Sequence, residues 1–182
     1  MDLEKQILIE HSVKNAEIIS EYIESNPDRL EELLQFILEG DKLIAQRSAW
    51  ALGKFSKGFY IEFIPYLDYI ISNIRYAKHV AVLRNFGRVF MLITNRENIK
   101  LLSEKEIDDI VELSFSWVID ENEKAAVVAF GMYTLRNLMY KRMWIAPELK
   151  LHIINNISGS LPSFQSAGKK VLKAIEKLEK AE

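Results

Sequence analysis

The sequence predicts an all-α fold of stacked antiparallel helix pairs, and three observations carry that prediction. A glycine recurs within helix-like segments at Gly53, Gly87, Gly131 and Gly168, at intervals of 34, 44 and 37 residues, which lie in the range of helical-pair repeats. Apolar residues recur at helical spacing, and no useful length of chain alternates in the manner of a strand. The 182 residues include only 7 Gly and 4 Pro, too few turn formers for many short strands. A glycine inside a helix costs about 1 kcal/mol relative to alanine. Four of them, each in the second helix of a pair, therefore mark places where a neighbouring backbone comes close.

The elements follow in order. Leu3, Ile7, Val13, Ile18, Ile19, Tyr22 and Ile23 form one helical stripe, read as a single leading helix. Asn26-Pro27-Asp28 restarts the helix, with Asn as cap, Pro at the first position and Asp at the positive end of the dipole. LEELLQFILEG stops at Gly40, which suits a left-handed C-cap. Asp41 opens a second helix that runs through IAQRSAWALGKFSK to Gly58. FYIEFIPYLDYIISNI (59–74) follows, with a kink expected at Pro65. AKHVAVLRNFGRVFMLI (77–93) is its partner. Ser103 and Glu106 make a capping box for a helix to about Val118. Asp120 is the expected cap of ENEKAAVVAFGMYTLRNLMYKR, Pro147 the start of a helix ended by Gly159, and Pro162 the start of the last, which runs out in KVLKAIEKLEKAE. The count is one leading helix plus about four pairs, with connections of the length that joins antiparallel neighbours.

Composition narrows the class. A chain 49% hydrophobic and 27% charged suits one domain over residues 1–182. With 0 Cys there are no disulfides, thiolate nucleophiles or Cys-ligated zinc, and a cytoplasmic location is expected. The N-terminus has no apolar h-region and no stretch is apolar for a membrane span, so neither a signal peptide nor a membrane partner is expected. Net charge is −2, but it is distributed in blocks. Residues 1–41 hold 3 basic and 11 acidic side chains, and residues 42–100 hold 10 and 3. Residues 101–123 hold 1 and 8, and residues 124–182 hold 10 and 4. Solvated helix faces and partner-steering surfaces both produce such blocks.

LEELLQFILEGDKLIAQRSAWALGKF resembles a HEAT or armadillo-type repeat: a Leu-rich first helix, an acidic turn, then an Arg-x-Ala-x-x-Leu-Gly second helix. FIPYLDYIISNI is similar to the proline-kinked first helix of a HEAT unit. The resemblance covers roughly residues 27–180, and later pairs depart from it, with Leu83 and Val127 in place of Ala49. It implies a right-handed α-α superhelix, a HEAT-like solenoid, in which second helices line the concave surface. It is specific about architecture and says little about activity.

The glycine then serves as a register. One residue after it stand Lys54, Arg88, Met132 and Lys169; three before it stand Trp50, Arg84, Val128 and Gln165. These offsets are four apart and share a helix face. Arg47 and Lys57 extend that face in the first pair and Lys173 in the last. The opposite face carries Ala49, Leu52, Leu83, Phe86, Val127, Phe130, Phe164 and Ala167, assigned to the core. Arg47, Trp50, Lys54, Arg84, Arg88, Lys169 and Lys173 are thus candidates for a basic, aromatic groove meeting an acidic protein or peptide. Solubilising charges whose stems cover apolar surface would read the same way. A secondary candidate is Arg136, Tyr140 and Trp144, residue types enriched at interface centres, which also pack cores.

Known catalytic signatures are missing. There is no phosphate loop and no G-x-G-x-x-G turn. His11, His79 and His152 stand apart without ligand spacing, and Asp108, Asp109 and Glu112 lie on an acid-rich first helix where a solvated face accounts for them. No catalytic, cofactor-binding or metal-binding residue is expected. HEAT-like DNA alkylation repair glycosylases also bear a distant resemblance, and a basic groove with tryptophan would suit nucleic acid. That chemistry needs a carboxylate in the groove, and 42–57 and 77–94 contain no Asp or Glu. The expected function is a non-enzymatic protein- or peptide-binding scaffold without cofactor. A nucleic-acid-binding or repair protein of the same fold is the alternative, and the oligomeric state stays open.

Overall fold

The structure, a computed structural model, describes residues 1–77 and 79–180. Lys78, in the segment read as a helix from 77, and Ala181 and Glu182, at the end of the last helix, lie outside the described residues. Every regular element among the described residues is helical. The chain divides into two compact units, Met1–Ile93 and Thr94–Glu182.

The first unit holds α1 (Leu3–Ile9), α2 (Val13–Ser25), α3 (Leu30–Leu38), α4 (Lys42–Ala51), α5 (Leu67–Ile74) and α6 (Val80–Ile93). Helix α4 is its centre, packing on α1, α2, α3 and α6, while α3 also meets α5. The single leading helix expected from the stripe is in fact two. Asp2 caps α1 and Ser12 caps α2, where its Oγ accepts from the Asn15 amide at 3.0 Å. Buried Asn15 ties the hairpin together: its Nδ2 donates to the Gln6 and Glu10 carbonyls at 2.9 and 2.8 Å. Asn26 does not cap forward. Its side-chain Nδ2 donates back to the Tyr22 carbonyl at 2.8 Å, and Pro27–Arg29 forms a 3-10 turn before α3. Asp41 does cap α4, accepting from the Leu43 and Ile44 amides at 2.8 and 2.9 Å.

Helix α4 ends at Ala51 rather than at Gly58, so Gly53 and Lys54 lie in a turn. The Leu52, Gly53 and Lys54 amides donate three residues back, to Ala49, Trp50 and Ala51, which tightens the chain out of α-geometry. The Leu52 carbonyl freed by this turn accepts from the Tyr60 hydroxyl at 2.9 Å. Pro65 does not kink an α-helix either. Lys57–Tyr66 is a 3-10 helix, and α5 starts only at Leu67, beyond the proline. A proline lacks the N–H and crowds the carbonyl four residues back, and a tighter helix relieves both. The 3-10 helix carries a cluster of rings with Phe55 at its edge: Phe55 and Phe59 stack at 4.7 Å between centroids, and Tyr60 and Phe63 at 6.2 Å.

The second unit holds a 3-10 turn at Ile99–Leu101, then α7 (Glu104–Ile119), α8 (Ala125–Leu138), α9 (Ile145–Ile157) and α10 (Pro162–Glu179). Helix α8 packs on α7, α9 and α10. The Ser103–Glu106 capping box is formed as expected, and Pro162 is the first residue of α10. Asp120 does not cap α8: its carboxylate accepts from the Asn122 amide at 2.9 Å, and α8 begins at Ala125 without a side-chain cap. Helix α9 begins at Ile145, two residues before Pro147, which sits within the first turn where its missing N–H costs nothing. Gly159, at φ 80°, is the only residue of positive φ among the described residues. Gly40 is therefore not a left-handed cap. A Cβ there would overlap the Phe36 carbonyl oxygen and the Ile44 side chain.

The packing role of the recurring glycine holds at α8 and α10. A Cβ on Gly131 would lie 3.0 Å from the Ser114 carbonyl oxygen and from Val118 Cγ2, so α7 and α8 touch there through backbone. A Cβ on Gly168 would lie 2.9 Å from Ile153 Cγ2 of α9. Of the residues assigned to the core, Ala49, Leu52, Phe86, Val127 and Ala167 are buried, whereas Leu83, Phe130 and Phe164 are half-buried.

Candidate functional site

In the first unit, three of the five candidate groove residues are held by α1, α2 and the connection between them. Arg47 Nη1 donates to the Leu8 and Ile7 carbonyls at 2.8 and 3.4 Å. A cation thus satisfies carbonyls at the negative end of α1. Its Nε is buried without a hydrogen-bond partner. Trp50 is half-buried with the His11 ring edge-on at 4.3 Å. Lys54 Nζ lies 3.0 Å from Glu17 Oε1. Arg84 and Arg88 differ: both are exposed, one turn apart on α6, and neither forms an ion pair among the described residues. Arg88 sits beside the Tyr60 hydroxyl, which burial pushes up in pKa while the guanidinium pulls it back. Buried Asn85 between them donates to the Ala81 carbonyl at 2.8 Å. Helix α6 contains no Asp or Glu.

In the second unit, Lys169 and Lys173 are exposed one turn apart on α10 and form no ion pair among the described residues. The register positions on α8, Val128 and Met132, are buried, so that helix offers core there. Gln165 is half-buried and donates to the Ser160 carbonyl at 2.9 Å.

The secondary candidates separate. Arg136 lies over the Tyr133 ring at 5.3 Å and bonds Asn137 Oδ1 at 3.2 Å. Tyr140 is exposed. Trp144 alone of the three lines a cleft of about 800 Å³ between α7 and α9. Its ring stacks on Phe115 with centroids 5.5 Å apart and planes at 14°. Val111, Ser116, Ile119 and the acidic residues Asp108, Glu112 and Glu148 complete the lining. Arg142 bonds both Asp108 and Glu104 at 2.7 Å, which holds the Asp108 carboxyl below its usual range. Phe115 and Glu148 were not among the candidates read from the sequence. A signal for the first exists, because Asp108, Val111, Glu112, Phe115 and Ile119 form one stripe on α7 at helical spacing.

A smaller cavity of about 270 Å³ has His152, Asn156, Ser160, Phe164, Asp120 and Glu123 among its lining residues. Burial pushes the His152 imidazole below its ordinary pKa, against a hydrogen bond to the Val118 backbone that raises it. Protonation therefore favours the unfolded chain. No penalty applies above about pH 6.5, and it grows as pH falls through that value. We expect thermal melts to show stability falling from about pH 7.5 to 5.5, and His152→Gln to flatten that fall; an unchanged slope would assign it to other groups.

Among the described residues, no group of three or more His, Asp or Glu is placed to hold a metal ion. No helix among them is long and apolar enough to cross a membrane. No curated protein matches the chain, and no solved structure matches it. The family model described as HEAT repeat domain matches residues 3–175, across both units of stacked helices. The chain belongs to the HEAT repeat family.

Proposed function

We propose that this chain is a non-enzymatic scaffold that binds an acidic protein segment through the exposed cations of its second helices. The carrying observation is which cations are left over. Arg47 and Lys54 are engaged by α1 and α2, whereas Arg84 and Arg88 on α6 and Lys169 and Lys173 on α10 have no ion-pair partner among the described residues. Keeping such charges unpaired favours encounter with an oppositely charged surface. Arg47, Trp50 and Lys54 in this reading shape the surface rather than meet the partner. The span of the family match supports treating residues 1–182 as one repeat domain.

The test is charge reversal in the full chain. Partners captured from the native host are identified by mass spectrometry, then titrated against the wild type, Arg84→Glu/Arg88→Glu and Lys169→Glu/Lys173→Glu. We expect at least one double variant to weaken binding about tenfold or more, equivalent to about 1.4 kcal/mol. Unchanged affinity in both would end this reading. Binding to duplex DNA that falls steeply with salt would move the assignment to the nucleic-acid class. A glycosylase remains disfavoured there, since α6 lacks a carboxylate.

A further inference from the structure

We propose that the cleft between α7 and α9 is a separate binding site for a basic amphipathic helix, one that presents a large apolar side chain flanked by Lys or Arg. Three features point to that occupant. First, the floor is apolar and already ordered. Val111, Phe115 and Ile119 stand four apart on α7, and Trp144 is 52% exposed yet fixed by its stack on Phe115. A held aromatic ring loses little rotamer freedom on binding.

Second, the rim is acidic and its charges are available. Glu112 and Glu148 are exposed and form no ion pair among the described residues, while Asp108 is held by Arg142, whose charge is shared with Glu104. No cation lines the cleft. A neutral apolar occupant would cover two carboxylates and leave them unpaired, and an acidic one would add repulsion. A cationic occupant avoids both penalties.

Third, the apolar surface is elongated. Trp144, Leu151 and Ile154 follow one face of α9 at helical spacing, and the last two are 60% and 52% exposed. A cleft of about 800 Å³ accommodates a few side chains, and the stripe beyond it matches the length of a helix rather than a compact small molecule. This site is independent of the exposed cations of α6 and of those of α10, and its partner has the opposite charge.

The probe is a fluorescein-labelled peptide of about 18 residues, five helical turns, with Leu and one Phe on one face and Lys on the other. A scrambled peptide of the same composition and a Lys-to-Glu version serve as comparisons. Anisotropy is read against the full chain at about 0.15 M salt. We expect the lysine helix to bind at least about tenfold more tightly than either comparison. Trp144→Ala and Glu112→Lys/Glu148→Lys should each weaken it by a similar factor, and the double variant should come to prefer the Glu peptide. Glu112 and Glu148 are exposed and Trp144 half so, and circular dichroism should show each variant folded, with at most a small drop in melting temperature for Trp144→Ala from its lost stack on Phe115. Arg84→Glu/Arg88→Glu should leave lysine-helix binding unchanged, which separates this result from the test of the basic surface. Equal binding of scrambled and patterned peptides, or insensitivity to Trp144→Ala, would overturn the proposal. So would a dimer in sedimentation that Trp144→Ala abolishes, because the face would then be occupied by a second copy of the chain.

Discussion

Phe63→Ala is expected to cost about 3–5 kcal/mol of stability, the usual penalty for removing a fully buried phenyl ring. Phe63 is 0% exposed and lies 5.7 Å from the Phe55 ring, 6.3 Å from Phe59 and 6.2 Å from Tyr60. It belongs to the 3-10 helix Lys57–Tyr66, which packs on α5 and α6. Truncation removes the apolar contacts and leaves a space that neighbouring rings cannot fill without leaving their rotamers. Urea denaturation gives the magnitude. Hydrogen exchange resolved by peptide gives the location, and protection should fall within Met1–Ile93. A loss below about 1 kcal/mol would mean that the cluster closes over the gap.

Gly131→Val should destabilise by about 2–3 kcal/mol through overpacking. The added Cβ meets the Ser114 carbonyl oxygen at 3.0 Å, a backbone atom that can move only with α7. The branched methyls of valine would press further into Val118, itself 3.0 Å from that Cβ. Gly131→Ala separates the two contributions. Alanine gains about 1 kcal/mol of helix propensity and meets the same carbonyl, so its net change should be small. Chemical denaturation of the pair checks this. Equal stability of the two variants would show that α7 and α8 have room to spread, and that the glycine is not a contact requirement.

Local signals in the sequence were legible and distant ones were not. The capping box at Ser103, the start at Pro162 and the stop at Gly159 are settled by backbone groups within a few residues, so the residues themselves announce them. The division into α1 and α2 was hidden by an apolar stripe that runs through both, although Ser12 is a capping residue. Gly53 shows the limit of a register. It fits the repeat by position, but the chain has left α-geometry there, and the Leu52 carbonyl that this frees is taken by Tyr60, eight residues on. Arg47 and Lys54 look like free cations until α1 and α2 are placed against them. The cleft depends on α7 and α9 lying side by side. Trp144 was visible as an interface type of residue, but its stack on Phe115, 29 positions earlier in the chain, is a tertiary fact that no window of sequence contains.

The Arg47 contact also sets an order of assembly. Helix α1 has 7 residues, too few for a helix to persist alone in water. The guanidinium that satisfies its terminal carbonyls comes from about 40 residues further along the chain. During synthesis, then, α1 leaves the ribosome well before the side chain that closes it. Until α4 has been made and docked, the Ile7 and Leu8 carbonyls of the first helix lack this partner. Its lateness is written into the contact: the first helix of the unit is closed only by the fourth.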